Sequence, residues 1–590
     1  MKKKWWLLAL SLVLVLGGSW LASWIQTTGG EVRVTDVRFA GQDGRMLSGL
    51  LYVPAGATNR TPAPGMLVMH GYINSRETQS GFAIEFARRG YVVLAMDMAG
   101  HGFSEPIRGD LSRGAYDGLR FLASLPFVDP ANIGVEGHSM GGWSVLAAAD
   151  RAPDLVKTVV LVGSSSETLG APKILADSKF NVGVIFSRYD EFARLMWGVD
   201  RAADIVKTEK LKAAFGTTED VVPYRLYGSF ENETGRKLYI PNTTHPGDHL
   251  SREAIGDAID FVQASIPAPR PLDPANQIWP WKELGTALAF IGAVVFMFAL
   301  AGLLLEVPYF KELVRPLPRF SGEAGPGWFV GALIATAIPA LTFFRFQHLG
   351  NAWIPTSAFW PQSLTIGFMV WALLNGAIAV ALFIVWHLVW GRRRQGSLGA
   401  YGFSTAGGRP GRWRYVGRAL LLAVTVTAAT HALLSLVQWA FLVDFRFWVV
   451  ALKPMNWPRF LIFLRFLVPF AVYFFIFSLV LHGQLRLPEY GSEGKTLFTW
   501  IVANAAVAVA GLVVLVALQV GTLKLTERLF FPTEPLLGIV AYQFLPLLTI
   551  ASALSTYLFR KTGTVYAGAF LNALFVTWYI VAGQAIQFAA

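Results

Sequence analysis

The chain has 590 residues, of which 54% are hydrophobic and only 15% charged, where a soluble domain averages about 25% charge. That excludes an intrinsically disordered protein. Stretches such as Trp5 to Ile25, Leu284 to Leu305 and Thr496 to Val520, each long enough to cross about 30 Å of hydrocarbon, exclude a wholly soluble one.

Cysteine is absent, so disulfide frameworks, thiolate zinc sites and a cysteine nucleophile are excluded as well. The net charge of +12 divides unevenly: residues 31–267 hold 24 Lys and Arg against 28 Asp and Glu, and the rest of the chain holds 26 against 10. The basic excess belongs to the apolar part, where it orients helices. It gives no support to a nucleic-acid partner.

In chain order, residues 1–30 place Lys2, Lys3 and Lys4 before an apolar run from Trp5 to Ile25. The run is longer than a signal-peptide core and lacks a clean small-x-small cleavage site. It reads as a retained transmembrane signal anchor, and on either reading the segment that follows is exported. Residues 31–267 change texture. Val32 to Arg38 and Leu47 to Val53 look like paired strands. Gly65 to Met69, Tyr91 to Met96, Ile133 to Glu136, Thr158 to Val162, Val182 to Phe186 and Lys237 to Ile240 are short apolar runs, as expected of strands covered on both faces. Helical patterns at Phe82 to Arg89, Ser112 to Ser124, Met140 to Ala149 and Arg252 to Ala264 alternate with them. This order predicts an α/β domain with a mostly parallel sheet.

The Pro-rich stretch from Ile266 to Pro280 predicts an extended linker, with its boundaries set at 268–280. Residues 281–590 then show eight apolar spans, near 284–306, 328–344, 365–390, 415–441, 460–482, 497–520, 535–558 and 564–587. With a cytoplasmic N-terminus, the inside loops would carry 13 Lys and Arg, among them Arg392, Arg393, Arg394, Arg409 and Arg412, and the outside loops 5. That bias has the sign of short cytoplasmic loops. It predicts an integral, multi-pass protein of the cell membrane with its α/β domain on the extracytoplasmic side. Polar residues inside the spans (Asn375, His431, Gln438, Asn504, Gln519, Asn572) read as hydrogen bonds between helices. The outward loops Phe346 to Gln362 and Phe445 to Phe460 are aromatic, as interfacial segments are.

Chemistry concentrates at Ile133 to Ala149, IGVEGHSMGGWSVLAAA, where a strand runs through Gly137-His138-Ser139-Met140-Gly141 directly into a helix. This is the context of a GxSxG nucleophile elbow, with Ser139 on the bend. A serine hydroxyl needs a base, and the base an acid, in the order Ser, Asp or Glu, His. Asp190, just past Val182 to Phe186, is the expected acid, with Glu191 its rival. His245, just past Lys237 to Ile240, is the expected base, with His249 the alternative. The oxyanion donors are expected at the backbone amides of Met140 and of Tyr72 in His70-Gly71-Tyr72. His101, in DMAGHGFS, precedes Ser139 and reads as structural.

HGY at 70–72, RRGYVVLAMDMAGHGFS at 88–104, GHSMGG at 137–142, the run ending in Asp190 and the run ending in His245 together resemble the α/β-hydrolase superfamily, in its dienelactone hydrolase and serine aminopeptidase-like group. The resemblance covers residues 31–267 and implies the α/β-hydrolase fold and a Ser139, Asp190, His245 triad. One departure is the 54 residues between Asp190 and His245, in which 192–235 are expected to form an extra cap or lid. The reading is a membrane-tethered serine hydrolase, needing no metal or organic cofactor, that cleaves ester-type bonds of a small-molecule or lipid acyl substrate. Peptide cleavage, acyl transfer, and a transporter-like membrane part with an accessory hydrolase domain stand as alternatives.

Overall fold

The computed structural model describes residues 2–320, 322–403 and 412–587; Arg409, counted among the basic loop residues above, lies outside them. The chain opens with helix α1 (Lys2–Gln26) and then builds a nine-stranded sheet. Its strands are β1 (Val32–Ala40), β2 (Met46–Pro54), β3 (Ala63–Met69), β4 (Val92–Asp97), β5 (Val128–His138), β6 (Thr158–Val162), β7 (Asn181–Ile185), β8 (Leu226–Tyr227) and β9 (Arg236–Tyr239). The spatial order is β1-β2-β4-β3-β5-β6-β7-β9-β8. Pairing is parallel from β4 through β9, while β1, β2 and the short edge strand β8 run antiparallel. The apolar runs seen in the sequence are the central strands, buried on both faces; β6 and β7 expose no residue.

Helices α2 (Ser80–Arg88), α3 (Ala115–Ala123), α4 (Met140–Arg151) and α7 (Arg252–Ser265) cover the sheet. Between β7 and β9 the chain adds α5 (Ala193–Trp197) and α6 (Glu209–Phe215). Met196, Trp197, Leu211 and Phe215 from this excursion join the same core as Val182 and Val184, so it is built into the body of the domain.

The Pro-rich segment makes no regular element, yet it is tied down. Arg89 donates to the carbonyls of Asp273 (2.7 Å) and Asn276 (3.1 Å), and the buried Glu85 carboxylate accepts the amides of Ile278 (2.7 Å) and Trp279 (3.1 Å). Those amides open helix α8 (Trp279–Leu304), where N–H groups lack helical partners and the dipole favours an anion.

The remaining elements are α9 (Pro308–Lys311), α10 (Pro326–Leu341), α11 (Phe343–Trp353), α12 (Ser363–Trp386), α13 (Arg412–Phe441), a hairpin of β10 (Phe445–Phe447) and β11 (Val450–Leu452), α14 (Trp457–Leu479), α15 (Glu493–Thr526), α16 (Pro535–Thr562) and α17 (Tyr566–Gly583). Among the described residues, eight helices are long and apolar enough to cross a membrane, making this a membrane protein, and α10 with α11 is a bent pair. The sequence reads 328–344 as one straight span. The structure bends it by 50° at Thr342, between α10 and α11. The polar residues in the spans mostly tie helices together: Asn504 donates to Thr556 Oγ1 (2.8 Å) and Asn572 to the Ala551 carbonyl (2.7 Å). Helix α1 packs along α8 through glycine. A Cβ on Gly18 would lie 2.5 Å from the Gly285 carbonyl oxygen, and one on Gly285 would lie 2.6 Å from that of Gly18.

Candidate active site

The ends of β3, β5, β7 and β9 point the same way, and the loops beyond them converge. At the end of β5 the chain turns at Ser139 with φ 55° and ψ −121°, a left-handed conformation that costs an L-residue about 1 to 3 kcal/mol and survives only where the surroundings enforce it. They do so here. The Ser139 amide donates to the Val162 carbonyl (2.8 Å), and Ser164 Oγ donates to the Ser139 carbonyl (2.7 Å). A Cβ on Gly137 would lie 2.3 Å from the Gly141 carbonyl carbon, and one on Gly141 would lie 2.4 Å from the Met69 carbonyl oxygen. Both glycines of the motif are therefore required by space. Ser139 stays half-buried, and Met140 begins α4, where a helical amide has no partner inside the helix.

The loops after β7 and β9 continue side by side. Arg188 N–H donates to the Pro241 carbonyl (2.9 Å), Tyr189 N–H to that of Thr243 (3.0 Å), and Tyr189 bridges Thr244 in parallel register. This extension of the sheet sets Asp190 opposite His245, and His245 Nδ1 lies 2.8 Å from Asp190 Oδ2. Asp190 Oδ1 accepts the Phe192 amide at 2.7 Å. Glu191, the rival acid, accepts the backbone amide of His245 (2.8 Å) instead of meeting its ring. Gly163, at φ 53°, makes room for the imidazole: a Cβ there would lie 2.8 Å from His245 Nδ1. Burial pushes His245 down to about 4 and Asp190 up to about 7, the latter opposed by the Phe192 amide and by His138.

His249 is brought close but aimed elsewhere. Its ring packs 4.1 Å from that of His138, and neither of its ring nitrogens has a hydrogen-bond partner. Sequence reasoning missed His138 and Asp248, which support the His245 loop from behind. His138 Nε2 donates to the His245 carbonyl (3.0 Å), and Asp248 accepts the Ser187 hydroxyl. The signal for His138 was its place inside the GxSxG run. Asp248 has none beyond its nearness to His245.

The loop after β3 crosses the elbow, since a Cβ on Gly71 would lie 3.1 Å from that of Ser139. His70 is locked beneath it: its Nδ1 donates to the Gly71 carbonyl (2.7 Å) and its Nε2 accepts the Met98 amide (3.0 Å). His101 donates to the Ala99 carbonyl (3.1 Å) and is nearly enclosed, the structural part expected of it. Among the described residues no three His, Asp or Glu side chains gather as metal ligands. A cavity of about 640 Å³ lies between α10, α12, α14 and α15, lined by Trp328, Trp371 and Tyr473 among others, and no residue of the sheet domain lines it.

Residues 61–180 match the family described as serine aminopeptidase, S33. Within that stretch Ser139 lies at the tip of β5. The domain has the α/β-hydrolase fold. Sequence relatives include Rv2715 of Mycobacterium tuberculosis, 35% identical over 106 residues, or 18% of this chain and 30% of that one. The peptidase YuxL of Bacillus subtilis is 31% identical over 121 residues, 18% of each chain. The chain thus spans about 30% of the length of the first of these relatives. Among solved structures, dienelactone hydrolase from Anabaena variabilis is 18% identical with a TM-score of 0.29, covering 40% of this chain and 99% of that one. The Pyrococcus furiosus esterase Pf2001 is 18% identical with a TM-score of 0.29, covering 40% and 92%.

Proposed function

We propose that the hydrolase domain is a serine hydrolase acting on ester-type carbonyls. The observation that carries this reading is the 2.8 Å contact between His245 and Asp190 at the loop tips beside the strained Ser139 elbow. Ser139 Oγ attacks the carbonyl carbon as His245 Nε2 takes its proton, and Asp190 holds Nδ1–H so that Nε2 is the free base. The oxyanion is held by the amides of Met140 and Tyr72, each such donor contributing roughly 3 to 4 kcal/mol at the transition state. His245 then returns the proton to the leaving alkoxide, and water repeats the sequence on the acyl-enzyme. The domain faces the extracytoplasmic side, and its substrate is an acyl compound drawn from the adjoining leaflet.

Peptide cleavage is the second reading, favoured by the family match. An aminopeptidase needs a carboxylate free to pair with the substrate ammonium. Asp190 is engaged by His245 and the Phe192 amide, while Glu191 and Asp248 each keep one oxygen without a hydrogen-bond partner, so the choice between ester and peptide falls to the substrate panel.

The test uses the full-length protein in detergent with p-nitrophenyl esters and aminoacyl p-nitroanilides. Ser139→Ala should lower kcat on the ester by a factor on the order of 10⁴ or more and abolish labelling by a fluorophosphonate probe. Undiminished labelling of Ser139→Ala would refute the assignment.

A further inference from the structure

The hydrolase and membrane domains exchange core residues. Ile73, on the loop after β3, is buried in the membrane domain's core with Tyr72 packed beside it, and Ile539 of α16 completes the hydrolase core with Leu536 and Tyr542 against it. Polar contacts across this seam fall on the three loops to which the chemistry is assigned and also on the loop after β4, where Arg459 donates to the Gly100 and Gly102 carbonyls (3.1 and 2.9 Å) and the Ile586 amide to that of Gly100 (2.8 Å). Beside the base, Trp448 Nε1 donates to the Pro246 carbonyl at 2.5 Å. Beside the acid, the Lys524 ammonium sits 3.7 Å over the Tyr189 ring, and Arg188 pairs with Glu527 at 2.8 Å.

The loop after β3 is held at two places. Gln587 Nε2 donates to Tyr72 Oη at 2.8 Å. Arg446, in β10, is 1% exposed. Its Nε and Nη2 grip Asp444 in its own hairpin (2.7 and 2.5 Å), which already answers its charge. Its outward donors reach the hydrolase domain, Nη1 to Thr78 Oγ1 at 2.8 Å and Nη2 to Ser75 Oγ at 3.1 Å, with the Glu77 carboxylate 3.7 Å from Nη2. Ser75 and Thr78 close the turn that follows Tyr72. A planar guanidinium with all these donors engaged fixes direction as well as distance. The Tyr72 end of the loop is thus registered against the membrane domain at both the ring and the turn.

We propose that Arg446 is a positioning residue for the oxyanion donor at Tyr72, so that the membrane domain supplies a working part of the catalytic apparatus. This rests on the reading of Ser139 as nucleophile. A misplaced donor weakens the transition state while leaving ground-state binding alone, so the loss falls on kcat.

In the full-length protein, Arg446→Met should lower kcat on a p-nitrophenyl ester about 10- to 100-fold with KM within about twofold. Arg446→Lys should recover part of the loss. The pair Ser75→Ala with Thr78→Val, which removes the two hydroxyl partners together with their own bonds to Glu77 and to the Ser75 amide, should reproduce the loss, and joining it to Arg446→Met should add little more. Wild-type kcat in a folded Arg446→Met, an effect on KM alone, or losses that multiply would overturn the proposal. If Arg446→Met does not fold, the Ser75→Ala, Thr78→Val protein decides by the same kcat and KM reading. Fluorophosphonate labelling separates the two claims: labelling that persists in Ser139→Ala sinks the nucleophile assignment, whereas labelling that needs Ser139 yet proceeds at the wild-type rate in Arg446→Met sinks the positioning role alone.

Discussion

Ser139 holds a backbone conformation that its neighbours impose, and the imposition is steric. Gly137→Ala would drive a methyl to 2.3 Å from the Gly141 carbonyl carbon; it should destabilise the domain by about 1 to 3 kcal/mol, read from the melting midpoint, and silence the serine toward the fluorophosphonate probe. The Asp190–His245 pair titrates as a unit. Burial sets Asp190 at about 7 and His245 at about 4, so the pair takes its first proton as pH falls through about 7 and its second near 4. Only the form above the first step accepts a proton from Ser139. We expect kcat/KM to fall about tenfold per unit below that point, and Asp190→Asn to remove the step while lowering kcat by a factor on the order of 10³ to 10⁴. Stability behaves differently. The raised Asp190 contributes stability at low pH that is lost as pH rises toward 7, and the depressed His245 does the reverse between about 4 and 6.5. The two oppose, so the pair should leave its mark on rate while the melting midpoint barely moves. The meeting of Asp190 with His245 was legible because chain order and strand ends restrict the candidates; the reach of Arg446 across the seam was not, since nothing local links position 446 to position 78.

Among the elements, the central strands could be read directly, because a strand covered on both faces must be a short unbroken apolar run. The strand β8 could not: it has two residues, partly exposed, and its only reason to pair is the edge that β9 offers. The bend between α10 and α11 was hidden for a related reason, since hydrophobicity reports span length and is silent about direction. Helix α1 shows what the anchor's glycines do. Gly18 faces the α8 backbone, whereas Gly17 has no atom within 4 Å of where its Cβ would be. Gly18→Leu should therefore part the two helices and lower thermal stability in detergent by about 1 to 3 kcal/mol, and Gly17→Leu, one residue away, should leave the melting curve unchanged.

At the scale of the molecule, the loops that touch the hydrolase domain and the loops rich in arginine lie at opposite ends of the helices. The latter are tied to one another, Arg394 to Glu323, Arg486 to the Ala400 carbonyl and Arg560 to Glu489. The charge bias that proposes the sidedness can be tested cleanly because the chain has no native cysteine. A membrane-impermeant maleimide should label Glu231→Cys in intact cells and Arg393→Cys only after lysis; the opposite pattern would invert the topology. The exchange of Ile73 and Ile539 between the two cores bears on how the protein is made. A chain emerges from the ribosome N-terminus first, so the sheet is made before the α16 residue Ile539 that completes its core, and Tyr72 before the Gln587 that bonds its hydroxyl. The sheet domain's core is therefore expected to close only after α16 has been made, in a step that joins the two halves of the molecule.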